Sequence, residues 1–250
     1  MKKLLELKNV SLTYHTLTDE ICAVKGLSFN CAEGEFISII GPSGCGKTTI
    51  LSLIAGLLEP TTGTIVIDGD KKPSCDNLGY MLQKDQLFPW RTIEKNVYLP
   101  LENKKTNNDK NRKFASELLE KYGLGEFKKY YPDQLSGGMR QRVALIRTLV
   151  SDPKLLLLDE PFSALDSQTR LSVGDDVYKI IKAEQKTAVL VTHDISEAIS
   201  MSDKIIVLSA RPALVKSIFK PNLKGDSPLR KRESPEFGKW FEKIWKELHV

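Results

Sequence analysis

The run Gly41-Pro42-Ser43-Gly44-Cys45-Gly46-Lys47-Thr48 constrains this chain more than any other stretch. It fits the pattern G-x-x-x-x-G-K-[ST], and it lies where the apolar run Glu35 to Ile40 gives way to Thr49-Ile50-Leu51-Ser52-Leu53-Ile54, which has helical character. Glycines at 41, 44 and 46 let the backbone wrap with its N–H groups turned inward. A helix starting near Lys47 adds the positive end of its dipole at the same point. A polyphosphate suits such a cradle: Lys47 can reach its outer groups as a point charge, and the Thr48 hydroxyl can ligate a bridging Mg²⁺. A glycine-rich turn that merely matches the pattern would not be expected to sit between a strand and a helix.

Chemistry to act on a polyphosphate follows later in the chain. Leu155-Leu156-Leu157-Leu158 runs into Asp159-Glu160, and an apolar strand ending in acids is where an open parallel sheet gathers its ligand chemistry. Asp159 is expected to hold Mg²⁺, directly or through water. Glu160 is set to accept a proton from the attacking water or to orient it. A second buried strand, Thr187 to Asp194, delivers His193 to the same sheet edge, where contact with the outermost phosphate is expected. Gln83 closes a short strand around Gly79-Tyr80-Met81; its carboxamide could ligate Mg²⁺ or hold the attacking water. Tyr14 closes a strand beginning at Leu4, either as a packed strand residue or as a ring stacked on adenine.

A second glycine turn, Leu135-Ser136-Gly137-Gly138-Met139-Arg140-Gln141-Arg142, opens a long amphipathic helix. A hydroxyl and two glycine N–H groups at a helix start make an anion site, but this chain already has a complete phosphate cradle. Such a site would need a phosphate brought from outside; the alternative is an ordinary serine cap.

Composition narrows the class. The chain has 250 residues, 41% of them apolar, which is enough for a proper core, and no apolar run approaches the ~18 residues of a membrane span. The net charge of +5 is spread along the sequence, so nothing points to nucleic acid. Glu6 and Lys8 interrupt the N-terminal segment before a signal-type apolar region can form, and a cytoplasmic location is expected. Cys22, Cys31, Cys45 and Cys75 show no metal-ligand spacing and are expected to be reduced; a thiol reagent on Cys45, inside the phosphate loop, is expected to block nucleotide.

Between the motifs, strands are expected over Leu4 to Tyr14, Cys22 to Phe29 and Thr64 to Gly69, with a polar turn over Thr16 to Glu20. Phe114, Leu118, Leu119 and Tyr122 keep helical spacing up to Gly123, whereas Glu102 to Asn111 is polar without periodicity, a solvated loop. At the C-terminus Phe237, Trp240, Phe241, Ile244, Trp245 and Leu248 form the apolar face of an amphipathic helix. Mixed acid and base on its polar face favours packing on its own domain over lying on a membrane.

In this order, the loop at 41–48, Gln83, Leu135 to Arg142, Leu155 to Glu160, Ser163 to Asp166 and His193 resemble the ATP-binding subunit of an ABC transporter, over the chain to about residue 210. The resemblance implies an α/β fold: a P-loop NTPase (RecA-like) core, an antiparallel β lobe and an inserted helical subdomain at about 87–153, together filling 1–220, with 221–250 as a C-terminal extension. It implies ATP with Mg²⁺, and a head-to-tail homodimer in which Ser136, Gly137 and Gly138 of each copy face the ATP held by the other. Tyr14 then matches the adenine-stacking aromatic, Gln83 the lever that senses a membrane partner, Asp166 the contact across the dimer and His193 the switch histidine, while Thr49 and Gln141 join the nucleotide-binding set.

Leu87-Phe88-Pro89-Trp90-Arg91-Thr92 and the tail around Ser234-Pro235-Glu236-Phe237 are similar to importers of the nitrate, sulfonate and taurine type, a group that includes bicarbonate and pyrimidine-precursor systems. That implies an integral-membrane permease as partner, a soluble or lipid-anchored solute-binding protein acting through it, and a peripheral place on the cytoplasmic face of the membrane. A soluble ATPase of the same superfamily, acting without a permease in cofactor assembly for example, is the competing class. The sequence departs from the family pattern at Ile146 and Thr148, where small residues are usual, and in the Asn- and Lys-rich stretch 102–111.

Overall fold

Two β-sheets organise the computed structural model, which describes residues 2–15, 19–70 and 77–249. Most of the turn expected at Thr16 to Glu20, and Cys75, lie outside the described residues. The smaller sheet is antiparallel, with β1 (Lys3–His15) between β2 (Glu20–Ala32) and β4 (Thr62–Ile67). The larger has six strands in the order β5 (Leu78–Met81), β6 (Leu155–Asp159), β7 (Thr187–Val191), β3 (Phe36–Ile40), β8 (Lys204–Leu208) and β9 (Val215–Phe219). Every neighbouring pair in it is parallel except β8 with β9.

Along β3, β6, β7 and β8 every residue is buried, which explains their largely apolar runs, broken inside only by Ser38 of β3: strands covered on both faces have no solvent side to alternate toward. Because β3, β6 and β7 run the same way, the loops that leave them emerge along one edge. That edge therefore collects residues from three distant parts of the sequence.

Helix α1 (Lys47–Ile54) follows β3 and buries Ile50, Leu51, Leu53 and Ile54 against both sheets. Between β5 and β6 the chain makes α2 (Ile93–Asn103), α3 (Asp109–Lys121) and α4 (Gly137–Leu149), which share a core through Val97, Leu101, Leu118, Leu119, Val143 and Leu149. The polar stretch 102–111, expected as loop, is divided: Glu102 and Asn103 finish α2, and Asp109 opens α3. Asn108 causes the second start, since its side chain accepts from Asn111 N and caps the helix. Thr148 finds its space at a glycine. A Cβ on Gly79 of β5 would lie 2.5 Å from the Thr148 methyl, so the larger side chain on α4 is matched by a missing one on the strand.

Helices α5 (Ser167–Ala183) and α6 (Ile195–Met201) complete the cover of the sheet, and α7 (Pro228–Arg232) and α8 (Phe237–His249) come from the tail. Ile244 of α8 is fully buried against a cluster that includes Ile40, Ile199, Val207 and Phe219, with Phe237, Trp240, Phe241 and Leu248 around it. Burying that one side chain is worth about 2 kcal/mol. No helix among the described residues is long and apolar enough to cross a membrane.

Candidate active site

Gly46 has φ 118°, a backbone setting that side chains rarely adopt, and it lets the loop turn into α1 with Lys47 as the first helical residue. Lys47 Nζ donates to the carbonyls of Gly41 at 2.9 Å and Pro42 at 3.0 Å, which holds the loop closed around the ammonium. Ser43, Gly44, Gly46, Lys47, Thr48 and Thr49 line one side of a cavity of about 360 Å³. Gln83, Asp159, Glu160 and Arg211 line the rest.

Cys45 belongs to the loop by its backbone alone. Its N–H donates to Pro42 O at 3.3 Å, and its side chain is buried against Gly41 and the core, where burial pushes the thiol pKa up and the Lys47 charge only partly offsets this. A thiol so placed is slow to react with the reagent expected to block nucleotide there.

Asp159 is the buried acid of the cavity. Thr48 Oγ1 donates to its Oδ1 at 3.3 Å and the Tyr80 hydroxyl to its Oδ2 at 3.4 Å. Burial raises its pKa and the neighbouring Glu160 charge adds to the rise, while those two hydrogen bonds and Lys47 oppose it. Tyr80, itself half-buried, is pushed up to about 12 by burial first and the Asp159 charge second. A hydroxyl, a carboxylate and the Gln83 carboxamide oxygen are the hard oxygen donors that suit Mg²⁺, and a divalent cation would offset the burial of Asp159.

Glu160 sits one residue past β6 with φ 44°, and its N–H donates to Val191 O at 2.9 Å. This left-handed turn aims the carboxylate at β7: Glu160 Oε2 lies 3.1 Å from His193 Nδ1. Ser163 ties the arrangement together, donating to Glu160 O at 2.9 Å and accepting from Gln83 Nε2 at 3.3 Å. His193 itself stands exposed, its ring free to face a ligand as well as the glutamate. Asp194 behind it caps α6, accepting from Ser196 N and Glu197 N. The Tyr14 hydroxyl reaches Thr49 Oγ1 at 3.4 Å, so β1 brings a half-exposed ring beside the start of α1.

The second glycine turn stands apart from this cavity. Ser136 caps α4, its Oγ accepting from Met139 N at 3.3 Å, and Ser136, Gly137 and Gly138 do not line the cavity around Lys47. Asp166 similarly caps α5 by accepting from Thr169 N at 3.0 Å, and the Thr169 side-chain hydrogen bond first and this backbone bond second lower its pKa. Gln141 is buried, and its Oε1 has no hydrogen-bond partner among the described residues. Sequence reasoning brought out the loop, the acids, Gln83 and His193; it missed Arg211 on the cavity wall, and Tyr80 and Ser163, which bond to the wall residues Asp159, Gln83 and Glu160. Ser163 carried a signal, standing three residues after Glu160 in the turn that leads to α5, whereas Tyr80 and Arg211 join through tertiary packing only.

Residues 24–163 match the protein-family model described as ABC transporter. An uncharacterized ABC transporter ATP-binding protein of Bacillus subtilis, YtlC, is 49% identical, covering 98% of this chain and 95% of that one. The aliphatic sulfonates import ATP-binding protein SsuB of Bacillus thuringiensis subsp. konkukian is 38% identical over 97% and 94% of the two chains. Among solved structures, the dimeric post-hydrolysis ATP-binding cassette MJ0796 with ADP and Pi is similar with a TM-score of 0.74 and 36% identity, covering 88% of this chain and 99% of that one. The order of motifs, the sheet edge on which they meet and these likenesses agree: this chain belongs to the ABC transporter family, as an ATP-binding and ATP-hydrolysing subunit.

Proposed function

We propose that this chain is the energy-coupling ATPase of an importer for a small anionic or heterocyclic solute, of the kind that the sulfonate-importing relative exemplifies. The observation that carries the reading is the pairing of Glu160 with His193 at 3.1 Å, beside a phosphate loop, while the Ser136 turn stands outside that cavity. A catalytic carboxylate and a complete cradle in one copy, with a spare anion-binding turn facing elsewhere, suit two copies that each finish the other's site.

In this reading the loop 41–48 and Lys47 bind the phosphates, Thr49 and the Tyr14 ring flank the nucleotide, and Glu160 takes the proton of the attacking water. His193 steadies that carboxylate and turns its other ring nitrogen to the outer phosphate. Thr48, Asp159 and Gln83 would hold Mg²⁺, which neutralises charge on the phosphate oxygens when bound. Ser136, Gly137 and Gly138 of a second copy would close over the same phosphates, with Asp166 meeting the partner across the interface and Gln141 supporting the turn from within. The dimeric structure of the similar cassette MJ0796, bound to ADP and Pi, supports the pairing of two copies.

The membrane partner is a permease subunit, with a solute-binding protein acting through it, and the chain works at the cytoplasmic face. Trp90 is 71% exposed, stacks on Phe88 with centroids 5.0 Å apart, and edges a cavity shared with Arg91, Glu94, Tyr98 and Arg112. Buried Asn96 fixes that loop: it accepts from Phe88 N at 2.7 Å and donates to Arg91 O at 3.0 Å. An aromatic pair held out on a rigid loop suits a short segment of a permease. Residues 87–153 then form the helical subdomain of a nucleotide-binding domain spanning 1–220, and 221–250 its extension. The test is co-purification from membranes. Wild-type chain should bring down an integral-membrane protein, and Trp90→Ala should lose it while keeping ATP hydrolysis; a chain that hydrolyses ATP and never associates with a membrane protein would overturn the importer reading.

A further inference from the structure

Lys47 has three N–H donors, and two are used on the carbonyls of Gly41 and Pro42 at 2.9 and 3.0 Å. One remains for a chain of phosphate oxygens. The other cation among the described residues lining the cavity is Arg211, on the loop between β8 and β9. Among the described residues Arg211 makes no hydrogen bond and no ion pair, although Asp159 and Glu160 line the same cavity.

The loop that carries it is fixed in place. Ser209 N donates to Leu214 O at 3.0 Å, Leu214 N to Ser209 Oγ at 3.0 Å, and Ser209 Oγ to Pro212 O at 2.9 Å. Ala213 docks on β2 from both sides, its N–H donating to Ala23 O at 2.9 Å and its carbonyl accepting from Lys25 N at 3.0 Å. At the foot of the loop, Leu208 packs so closely on the phosphate loop that a Cβ on Gly41 would lie 3.0 Å from it. The Arg211 charge also acts on the Cys45 thiol inside that loop. The backbone is thus held before any ligand arrives, and a guanidinium with no partner among the described residues stands on the wall of a phosphate cavity. Such a group loses less freedom on binding than one on a mobile loop.

We propose that Arg211 is a second cationic contact for the nucleotide's phosphates, acting beside Lys47 from the β8–β9 loop; the inference rests on the nucleotide site proposed above. A guanidinium offers paired N–H donors to two phosphate oxygens, which the ammonium of Lys47 cannot do.

The experiment measures Kd of the purified full chain for ADP, for ATP in EDTA and for adenosine, in wild type, Arg211→Gln, Arg211→Lys and Lys47→Ala. Arg211→Gln should weaken ADP and ATP by roughly tenfold and leave adenosine unchanged, with Arg211→Lys in between. Equal loss for adenosine would overturn a phosphate contact, and so would wild-type affinity for both nucleotides in Arg211→Gln while Lys47→Ala has lost them. A change confined to ATP-dependent dimerisation, with all affinities intact, would also overturn it. If Lys47→Ala keeps wild-type affinity as well, the nucleotide site itself has been misassigned and the inference falls with it.

Discussion

Two helix starts in this chain are built alike and placed differently. At α1, Gly46 turns the backbone so that Lys47 and Thr48 face Asp159 and Glu160 across one cavity. At α4, Ser136 and two glycines offer the same kind of donors, but they do not line the cavity that holds Lys47, Asp159 and Glu160, and the Ser136 hydroxyl caps its own helix. The difference separates what a glycine turn can bind from what it can do. Binding an anion needs only backbone N–H groups and a dipole, whereas cleaving a phosphate needs a carboxylate within reach of a water. One copy of the chain has both at α1 and only the first at α4.

The largest effect that would break this comparison lies at Glu160. Glu160→Gln should cut phosphate release by roughly a hundredfold or more while ATP remains bound. If α4 closes over a neighbour's nucleotide, this variant should also accumulate as an ATP-loaded dimer on gel filtration. Near-normal turnover would remove the carboxylate from the role assigned to it. Lys47→Ala should next weaken ATP binding by the isolated chain, by more than about tenfold in a titration, since it removes a charged donor from the cradle. Ser136→Ala separates the two helix starts most directly. ATP affinity of the isolated chain should be unchanged and turnover lowered about tenfold, with loss of the cap costing about 1 kcal/mol in thermal unfolding. A fall in the isolated chain's own affinity would mean that α4 serves the nucleotide of its own copy.

The smallest effect concerns Asp159, whose folded pKa is raised by burial and by Glu160. A carboxyl that binds its proton more tightly when folded contributes stability at low pH and loses it as pH rises through the raised value. Asp159→Asn should therefore raise the melting temperature at pH 7, where the buried charge is removed, and the gain should vanish as pH falls toward the ordinary carboxylate range. Unfolding scans with pH would check this, and a lower melting temperature at pH 7 would contradict it.

The parts of the site that could be read in the sequence are those whose chemistry is local. Glycine spacing before Lys47, a leucine run ending in two acids and a histidine after a buried strand each signal themselves within a few residues. In the larger sheet β3, β6 and β7 were legible because full burial leaves a largely apolar run, whereas β8 and β9 were not read from the sequence. What stayed hidden depends on distance along the chain. Tyr80 touches Asp159 only because β5 and β6 pair, and Arg211 reaches the phosphate loop only because Ala213 docks on β2. Cys45 is the opposite case: its position in the loop is evident in the sequence, but the turn of its side chain to the core is not. The polar stretch 102–111 misled because asparagine signals both loop and cap, and only the Asn108 bond to Asn111 N decides between them.

The left-handed backbone of Glu160, at φ 44°, has a bearing on how this chain can be altered. Holding a branched-out carboxylate in that conformation costs on the order of 1 kcal/mol that glycine would not incur. Screening variants for heat resistance alone would accordingly drift toward Glu160→Gly, a sturdier molecule with nothing left to fire the reaction. Any programme to toughen this subunit has to leave that bend, and its discomfort, where it is.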